Sequence, residues 1–308
     1  MSHSPAARRD AIQHGFADVN GVRLHYASAG GQGAEARSRK LILFLHGFPE
    51  FWYAWGAQLV EFGRDFLAVA PDHRGYNLSS KPAEVESYGI ARLVGDVCAL
   101  VHHLGAKSCC LVGHDWGGAI AWATAIACPQ VVEKLVIINA PHPGVFEREL
   151  RENPAQQAAS QYMLVFRSAE SEALLSANNF ALMQASILSD GLAQGYFTEA
   201  DREAYLEAWS QPGALTGGLN FYRAARIGPP SGESGGPVHA GWNFPSLEVK
   251  APTLVIWGEK DPYLLPGNLN GLDQYVRDLR IERVPDATHW VVHEKPALVN
   301  SLIRDFVG

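Results

Sequence analysis

Asp115 sits at the centre of Leu111-Val112-Gly113-His114-Asp115-Trp116-Gly117-Gly118, a segment of the form small-x-nucleophile-x-small. Upstream, Ser108-Cys109-Cys110-Leu111-Val112 is a short apolar run that reads as a buried strand, and Ala119 to Ala127 reads as the helix that follows. A strand-to-helix turn that tight leaves no room for Cβ atoms at Gly113 and Gly117. It pushes the central side chain out at the top of a sheet, beside a helix N-terminus. A serine in that place suggests an acyl-transfer enzyme, whereas a carboxylate suggests attack on an alkyl carbon to give an ester of the enzyme itself. Taken alone, the segment also fits a glycine-containing turn in which Asp115 merely caps the helix.

Three further loops supply what such a nucleophile needs. His46-Gly47-Phe48-Pro49 ends an apolar run; its glycine lets backbone approach a reaction centre, and the Phe48 amide can point at a developing oxyanion. The Trp116 amide, directly after Asp115, is the expected second donor. Trp257-Gly258-Glu259-Lys260-Asp261-Pro262 and Asp286-Ala287-Thr288-His289-Trp290 each follow a late strand-like run. Each of these loops, alone, is equally an ordinary surface turn. Together, the order Asp115, Asp261, His289 is nucleophile, acid, histidine. Asp261 then fixes the imidazole tautomer and stabilises its charged form, leaving the other nitrogen of His289 to take a proton from water.

Positioning these loops at one site requires a particular arrangement of elements. Segments around 16–19 and 22–28, split by Asn20-Gly21, read as an antiparallel hairpin. Short runs rich in Val, Ile and Leu then recur at Lys40 to Leu45, Phe66 to Ala70, Ser108 to Val112, Lys134 to Ile138, Thr253 to Trp257 and Ile281 to Val284. Helix-length stretches separate most of them, so the fold class is α/β, with a mainly parallel sheet covered on both faces and a ligand site beyond the carboxyl ends of its strands. Between Pro141 and about Leu247 the alternation breaks down: Glu170 to Leu182 and Glu199 to Trp209 look helical, and Ile227 to Gly232 begins a long polar loop. The expectation is a core domain of residues 1–140 and 248–308 with a helical cap, 141–247, inserted in it.

Composition narrows the function. At 308 residues the chain buries a full-sized core without disulfides. Cys98, Cys109, Cys110 and Cys128 lie in apolar segments without pairing or metal-like spacing, which reads as free thiols; with no secretory signal visible, a cytoplasmic location is expected. The net charge of −7 and the lack of a basic run argue against nucleic acid as a partner. No apolar stretch approaches the roughly 20 residues of a membrane span, and residues 1–14 read as a polar, poorly ordered lead-in. Asp72, Glu259, His46 and His114 read as residues that orient loops, and none of the twelve histidines has metal-ligand spacing.

At this point the chain resembles the α/β-hydrolase superfamily, and within it the soluble epoxide hydrolases. The resemblance rests on His46-Gly47-Phe48-Pro49-Glu50-Phe51-Trp52-Tyr53, Asp72-His73-Arg74-Gly75-Tyr76, Gly113-His114-Asp115-Trp116-Gly117-Gly118, Trp257-Gly258-Glu259-Lys260-Asp261 and His289-Trp290-Val291-Val292-His293-Glu294-Lys295-Pro296. It implies a cofactor-independent conversion of a small apolar epoxide and water to a vicinal diol, by a monomer or homodimer. The family supplies the proton for the opening ring from two cap tyrosines. Leu219-Asn220-Phe221-Tyr222-Arg223 closely resembles the motif of one, and Gln161-Tyr162-Met163-Leu164-Val165-Phe166 that of the other. Beyond Phe166 the chain departs from the family, with Arg167-Ser168-Ala169-Glu170 where a Gln and a Pro-Gly pair are usual. A phenol suits the task, since a pKa near 10 keeps it protonated at neutral pH. The resemblance also places Phe48, Trp116 and His142 in the substrate pocket.

Haloalkane and haloacetate dehalogenases share this scaffold. The first also places a halide-binding indole where Trp116 stands, although Phe48 occupies the position where many members carry Asn or Glu. The second usually has two arginines where this chain has Trp116 and Ala119. A ligand receptor that kept its triad is the reading from another class.

Overall fold

Asn20 and Gly21 take positive φ, 49° and 77°, and so close a two-residue turn between β1 (Gln13–Val19) and β2 (Val22–Ala29), with Val19 opposite Val22. The computed structural model describes residues 12–31, 39–230 and 244–308. The first strand starts at Gln13, inside the segment expected to be a loose lead-in. Gln13-His14-Gly15 shows no apolar alternation; it is held by pairing, Gln13 opposite Ser28, with the His14 imidazole 3.0 Å from that of His25. The remainder of the lead-in, 1–11, lies outside the described residues.

Six further strands, β3 (Leu41–Leu45), β4 (Leu67–Pro71), β5 (Cys109–His114), β6 (Val132–Ile138), β7 (Thr253–Gly258) and β8 (Leu279–Val284), complete one sheet of order β1-β2-β4-β3-β5-β6-β7-β8. From β4 to β8 every neighbouring pair is parallel; β2 runs antiparallel to both β1 and β4. Residues of β3 alternate between two apolar layers, Ile42 and Phe44 on one face and Leu41, Leu43 and Leu45 on the other, and all five are buried. The helices α1 (Gly56–Phe62), α2 (Ile90–His103) and α3 (Trp116–Ala127) follow β3, β4 and β5. Leu59 and Phe62 of α1 pack on the Phe44 face, and Val94, Val97 and Ile120 of α2 and α3 on the Leu43 face.

Seven helices lie between β6 and β7: α4 (Pro143–Glu152), α5 (Pro154–Ala159), α6 (Tyr162–Arg167), α7 (Ser171–Ile187), α8 (Ser189–Gln194), α9 (Glu199–Ser210) and α10 (Ala214–Ala225), counted among the described residues. Two more, α11 (Val291–Glu294) and α12 (Pro296–Val307), follow β8; Val299 and Ile303 of α12 complete the Phe44 face. The expected helix from Glu170 to Leu182 is broken: Asn178, Asn179 and Phe180 turn left-handed at φ 49°, 57° and 60° before the helix resumes. Asparagine tolerates that region, and apolar periodicity carries no trace of it. Of the polar loop expected from Ile227, residues 231–243 lie outside the described residues.

The seven helices are fastened over the carboxyl ends of the strands. The Trp209 indole of α9 donates to the Pro49 carbonyl at 2.6 Å, and the Tyr53 hydroxyl bonds Asp201 at 2.7 Å. Phe221 of α10 packs edge-on against Tyr76 and Trp116, so the apolar layer beneath α2 and α3 continues into these helices.

Candidate active site

Gly117 sits so close beneath β3 that a Cβ there would lie 2.0 Å from the Leu45 carbonyl oxygen, and one at Gly113 would lie 2.3 Å from that of Gly117. This crowding forces the sharp turn between β5 and α3. At its tip Asp115 takes φ 51° and ψ −122°, a conformation that costs about 1–3 kcal/mol in a non-glycine residue and is held by the packing around it. Gly117→Ala is therefore expected to cost about 3 kcal/mol of stability, the upper end for overpacking, and to lower the denaturant midpoint while leaving the slope unchanged. An unchanged midpoint would mean the turn is not closely packed.

The Asp115 carboxylate, its side chain 11% exposed, meets two partners. Its Oδ1 accepts from the Phe48 amide at 2.8 Å, and its Oδ2 lies 3.5 Å from His289 Nε2. Gly47 makes the first approach possible, since a Cβ there would lie 2.4 Å from that of Asp115. One carboxylate oxygen thus occupies a place where an amide can stabilise negative charge, and the other faces the imidazole. The Trp116 amide is the first of α3, next to the nucleophile in the chain.

His289 Nδ1 lies 2.6 Å from Asp261 Oδ2. Asp261 is buried, and its Oδ1 accepts from the Tyr263 and Leu264 amides at 2.8 and 2.9 Å. Burial alone would lower the pKa of His289; Asp261 and Asp115 outweigh it and push the imidazole up to about 10. At neutral pH the resting imidazole is therefore charged, between two carboxylates.

A cavity opens above Asp115, lined by Phe48, Tyr162, Phe166, Tyr222, Tyr263, His289 and Trp290 among others. Two phenols from different helices, Tyr162 of α6 and Tyr222 of α10, share it with the carboxylate, their rings 6.2 Å apart. Burial first, and then nearby groups including Asp115, raise both well above the usual phenol value, so both keep their protons through the neutral range.

Two residues expected in the pocket are elsewhere. His142 is fully buried outside the cavity: its ring stacks on Tyr275 and meets Trp122 edge-on, Nε2 bonds the Leu247 carbonyl, and Nδ1 caps α4 by accepting from the Gly144 amide. Its place after β6 suggested the site; two flanking aromatic rings hold it aside. The Trp116 side chain likewise lies outside the lining residues, packed edge-on against Phe221 and Tyr222. α3 starts at Trp116, and its direction carries the indole under α10.

Asn139 was not singled out from sequence. It ends β6 with φ 40°, is fully buried, and donates at 2.8 Å to the same Asp261 oxygen that meets His289. Its other amide contacts bind Gly258, tying the ends of β6 and β7. An Asn at a strand's carboxyl end beside Ala140-Pro141 was the available signal. Below the site, His114 bonds the His289 carbonyl at 2.9 Å and Glu50 at 3.0 Å, and Glu50 meets His293 at 2.6 Å. Burial works to raise the Glu50 carboxyl, but the two imidazoles overcome it and hold it well below the usual range. His46 bonds the Gly47 carbonyl through Nδ1 and accepts from the His73 amide at Nε2, while Asp72 bonds His25, Asn77 and the Trp52 amide. Glu259 pairs with Arg283. All of these contacts orient loops.

An eight-stranded α/β sheet with an acidic elbow after β5 and a histidine after β8 defines a class, and the comparisons agree with it. The family model described as alpha/beta hydrolase fold matches residues 40–296. The chain is 39% identical over 303 residues to the AB hydrolase superfamily protein YfhM of Bacillus subtilis, covering 97% of this chain and 99% of that one. It is 36% identical to human epoxide hydrolase 4, covering 99% of this chain and 82% of the relative. A crystal structure of a Bacillus megaterium epoxide hydrolase with an inhibitor superposes with a TM-score of 0.86 at 40% identity, covering 95% of this chain and 99% of that one. The chain belongs to the α/β-hydrolase family, in its epoxide hydrolase branch. Among the described residues no helix is long and apolar enough to cross a membrane.

Proposed function

We propose that this protein hydrolyses epoxides to vicinal diols through a covalent ester on Asp115, the helices 141–247 acting as a cap that supplies the proton donors. One observation carries the reading: a carboxylate on a strained elbow faces two protonated phenols across one largely aromatic cavity. The relatives that bear the epoxide hydrolase name support it. In the first half-reaction Asp115 attacks an epoxide carbon in line while Tyr222 and Tyr162 hydrogen-bond the ring oxygen and donate a proton as its C–O bond breaks. In the second, His289, oriented by Asp261, takes a proton from water. The hydroxide attacks the Asp115 carbonyl carbon, and the charge that develops on its oxygen meets the Phe48 and Trp116 amides. As the tetrahedral intermediate collapses, its C–O bond to the substrate breaks and His289 returns its proton to the departing alcohol oxygen. The carboxylic acid left on Asp115 gives up its proton to restore the ionised tyrosine, so the diol leaves with carboxylate, imidazole and phenols as they began.

The aromatic walls of the cavity suit a small apolar epoxide. Cys98, Cys109, Cys110 and Cys128 are all free thiols, which supports a reducing cytoplasm. A halide leaving group needs no proton, so two protonated phenols in the cavity favour an epoxide over a haloalkane. Tyr222→Phe keeps the ring and removes only the proton donor, so alkylation by an aryl epoxide is expected to slow by a factor on the order of 10 to 1000. Single-turnover kinetics measure it. Unchanged alkylation in both Tyr222→Phe and Tyr162→Phe, or faster turnover of haloalkanes than of epoxides, contradicts the reading.

A further inference from the structure

The helix that bears Tyr162 is too short to hold its own position. α6 has six residues, and α7 behind it is interrupted after Ser176 by left-handed residues. Helices this short are marginal without tertiary ties. Arg223, next to Tyr222 on α10, supplies such a tie. Its guanidinium spans the gap to the α6–α7 junction: Nη1 and Nη2 donate to Glu172 Oε1 and Oε2, each at 2.6 Å, and Nη2 also donates to the Ser171 hydroxyl at 2.9 Å and the Ser168 carbonyl at 3.1 Å. Nη1 reaches back to Asn220 Oδ1 at 3.2 Å. Ser168 ends the helix that begins with Tyr162, and Ser171 and Glu172 begin the next.

We propose that Arg223 is a positioning residue for epoxide opening: it locks the helix bearing Tyr222 to the end of the helix bearing Tyr162 and so sets the two hydroxyls at the spacing one ring oxygen needs. This rests on the tyrosine reading above. A forked, two-oxygen ion pair with three further bonds fixes direction as well as distance, which a lysine's point charge does not. The side chain is 18% exposed and that of Glu172 32%, so the pair is partly shielded from water, unlike the surface pairs that contribute little. Among the described residues, the other polar tie between these helices is a single exposed bond from Arg167 to the Arg226 carbonyl.

The test separates the half-reactions, because the clamp touches only the proton donors while ester hydrolysis belongs to His289 and Asp261. Single-turnover alkylation and subsequent ester hydrolysis are measured with styrene oxide for wild type, Arg223→Met, Glu172→Gln, the Tyr162→Phe/Tyr222→Phe pair, and that pair combined with Arg223→Met. Arg223→Met is expected to slow alkylation on the order of 10- to 100-fold, the effect of an ångström's misplacement, and to leave hydrolysis within about twofold. Arg223→Lys should restore only part of the loss. In the double-Phe background Arg223→Met should add nothing, since the groups it positions are gone. Glu172→Gln, which keeps its shape, should show the same selective effect more weakly and decides the matter if Arg223→Met does not fold. Equal slowing of both half-reactions, an additive effect in the double-Phe background, or normal alkylation in Arg223→Met overturns the clamp while leaving the tyrosines in place. Normal alkylation in the double-Phe protein overturns the tyrosine reading and the clamp with it.

Discussion

Asp115→Ala is expected to lower diol formation by a factor on the order of 10⁴ or more, because it removes the atom that forms the covalent bond and no neighbouring group can take its place. The carboxylate is aimed by strain that the fold supplies: Gly113 and Gly117 permit the turn, Gly47 lets the Phe48 amide reach Oδ1, and His289 stands 3.5 Å from Oδ2. The side chain protrudes into the cavity and is not part of the apolar core, so circular dichroism and the unfolding midpoint should stay near those of the wild type. Losing the charge that faces His289 should also bring its imidazole pKa down from about 10, since Asp115 is one of the groups that raise it. A folded Asp115→Ala protein with near-normal turnover would remove Asp115 from the mechanism.

His289→Gln is expected to be almost as damaging to turnover, on the order of 10³-fold or more, but for a different reason. It leaves attack by Asp115 intact and removes the base for water, so ester forms and stays. The protonation state makes this division sharper. In the resting enzyme the imidazole is charged and cannot act as a base. Esterification removes the Asp115 charge, one of the two that hold the imidazole up to about 10, and the pKa falls. The nucleophile's own reaction thereby releases the base for the second step. Hydrolysis of the ester by the wild type should accelerate with rising pH and level off well below pH 10, because only the neutral imidazole takes the water proton. A hydrolysis rate flat from pH 5 to 9 would mean that His289 is not that base.

Much of this site can be read from the chain because its chemistry sits where strands end. Gly113-His114-Asp115-Trp116-Gly117, Asp261-Pro262 and Thr288-His289 are short motifs at the carboxyl ends of apolar runs, and a parallel sheet necessarily brings such ends together. Strand positions were legible to within a few residues for the same reason, since β3 through β7 are buried on both faces and their apolar runs are nearly continuous. What escaped depended on directions and contacts between elements distant in sequence. His142 lies beside a strand end as the others do, yet Trp122 and Tyr275 draw its ring away from the cavity. The helix axis of α3 turned the Trp116 indole under α10, and the left-handed break at Asn178-Asn179-Phe180 left no mark on the apolar pattern. Asn139 acts through Asp261, 122 positions along the chain, and Arg223 through Glu172, 51 positions away; neither residue type advertises such a role by itself.

The covalent ester on Asp115 is the central claim, and the trapped His289→Gln protein tests it most directly. After incubation with styrene oxide, the intact mass should rise by one substrate mass, and digestion should place the added mass on the peptide containing Asp115. A fully inactive His289→Gln protein that carries no added mass, or carries it on a peptide without Asp115, would contradict the account.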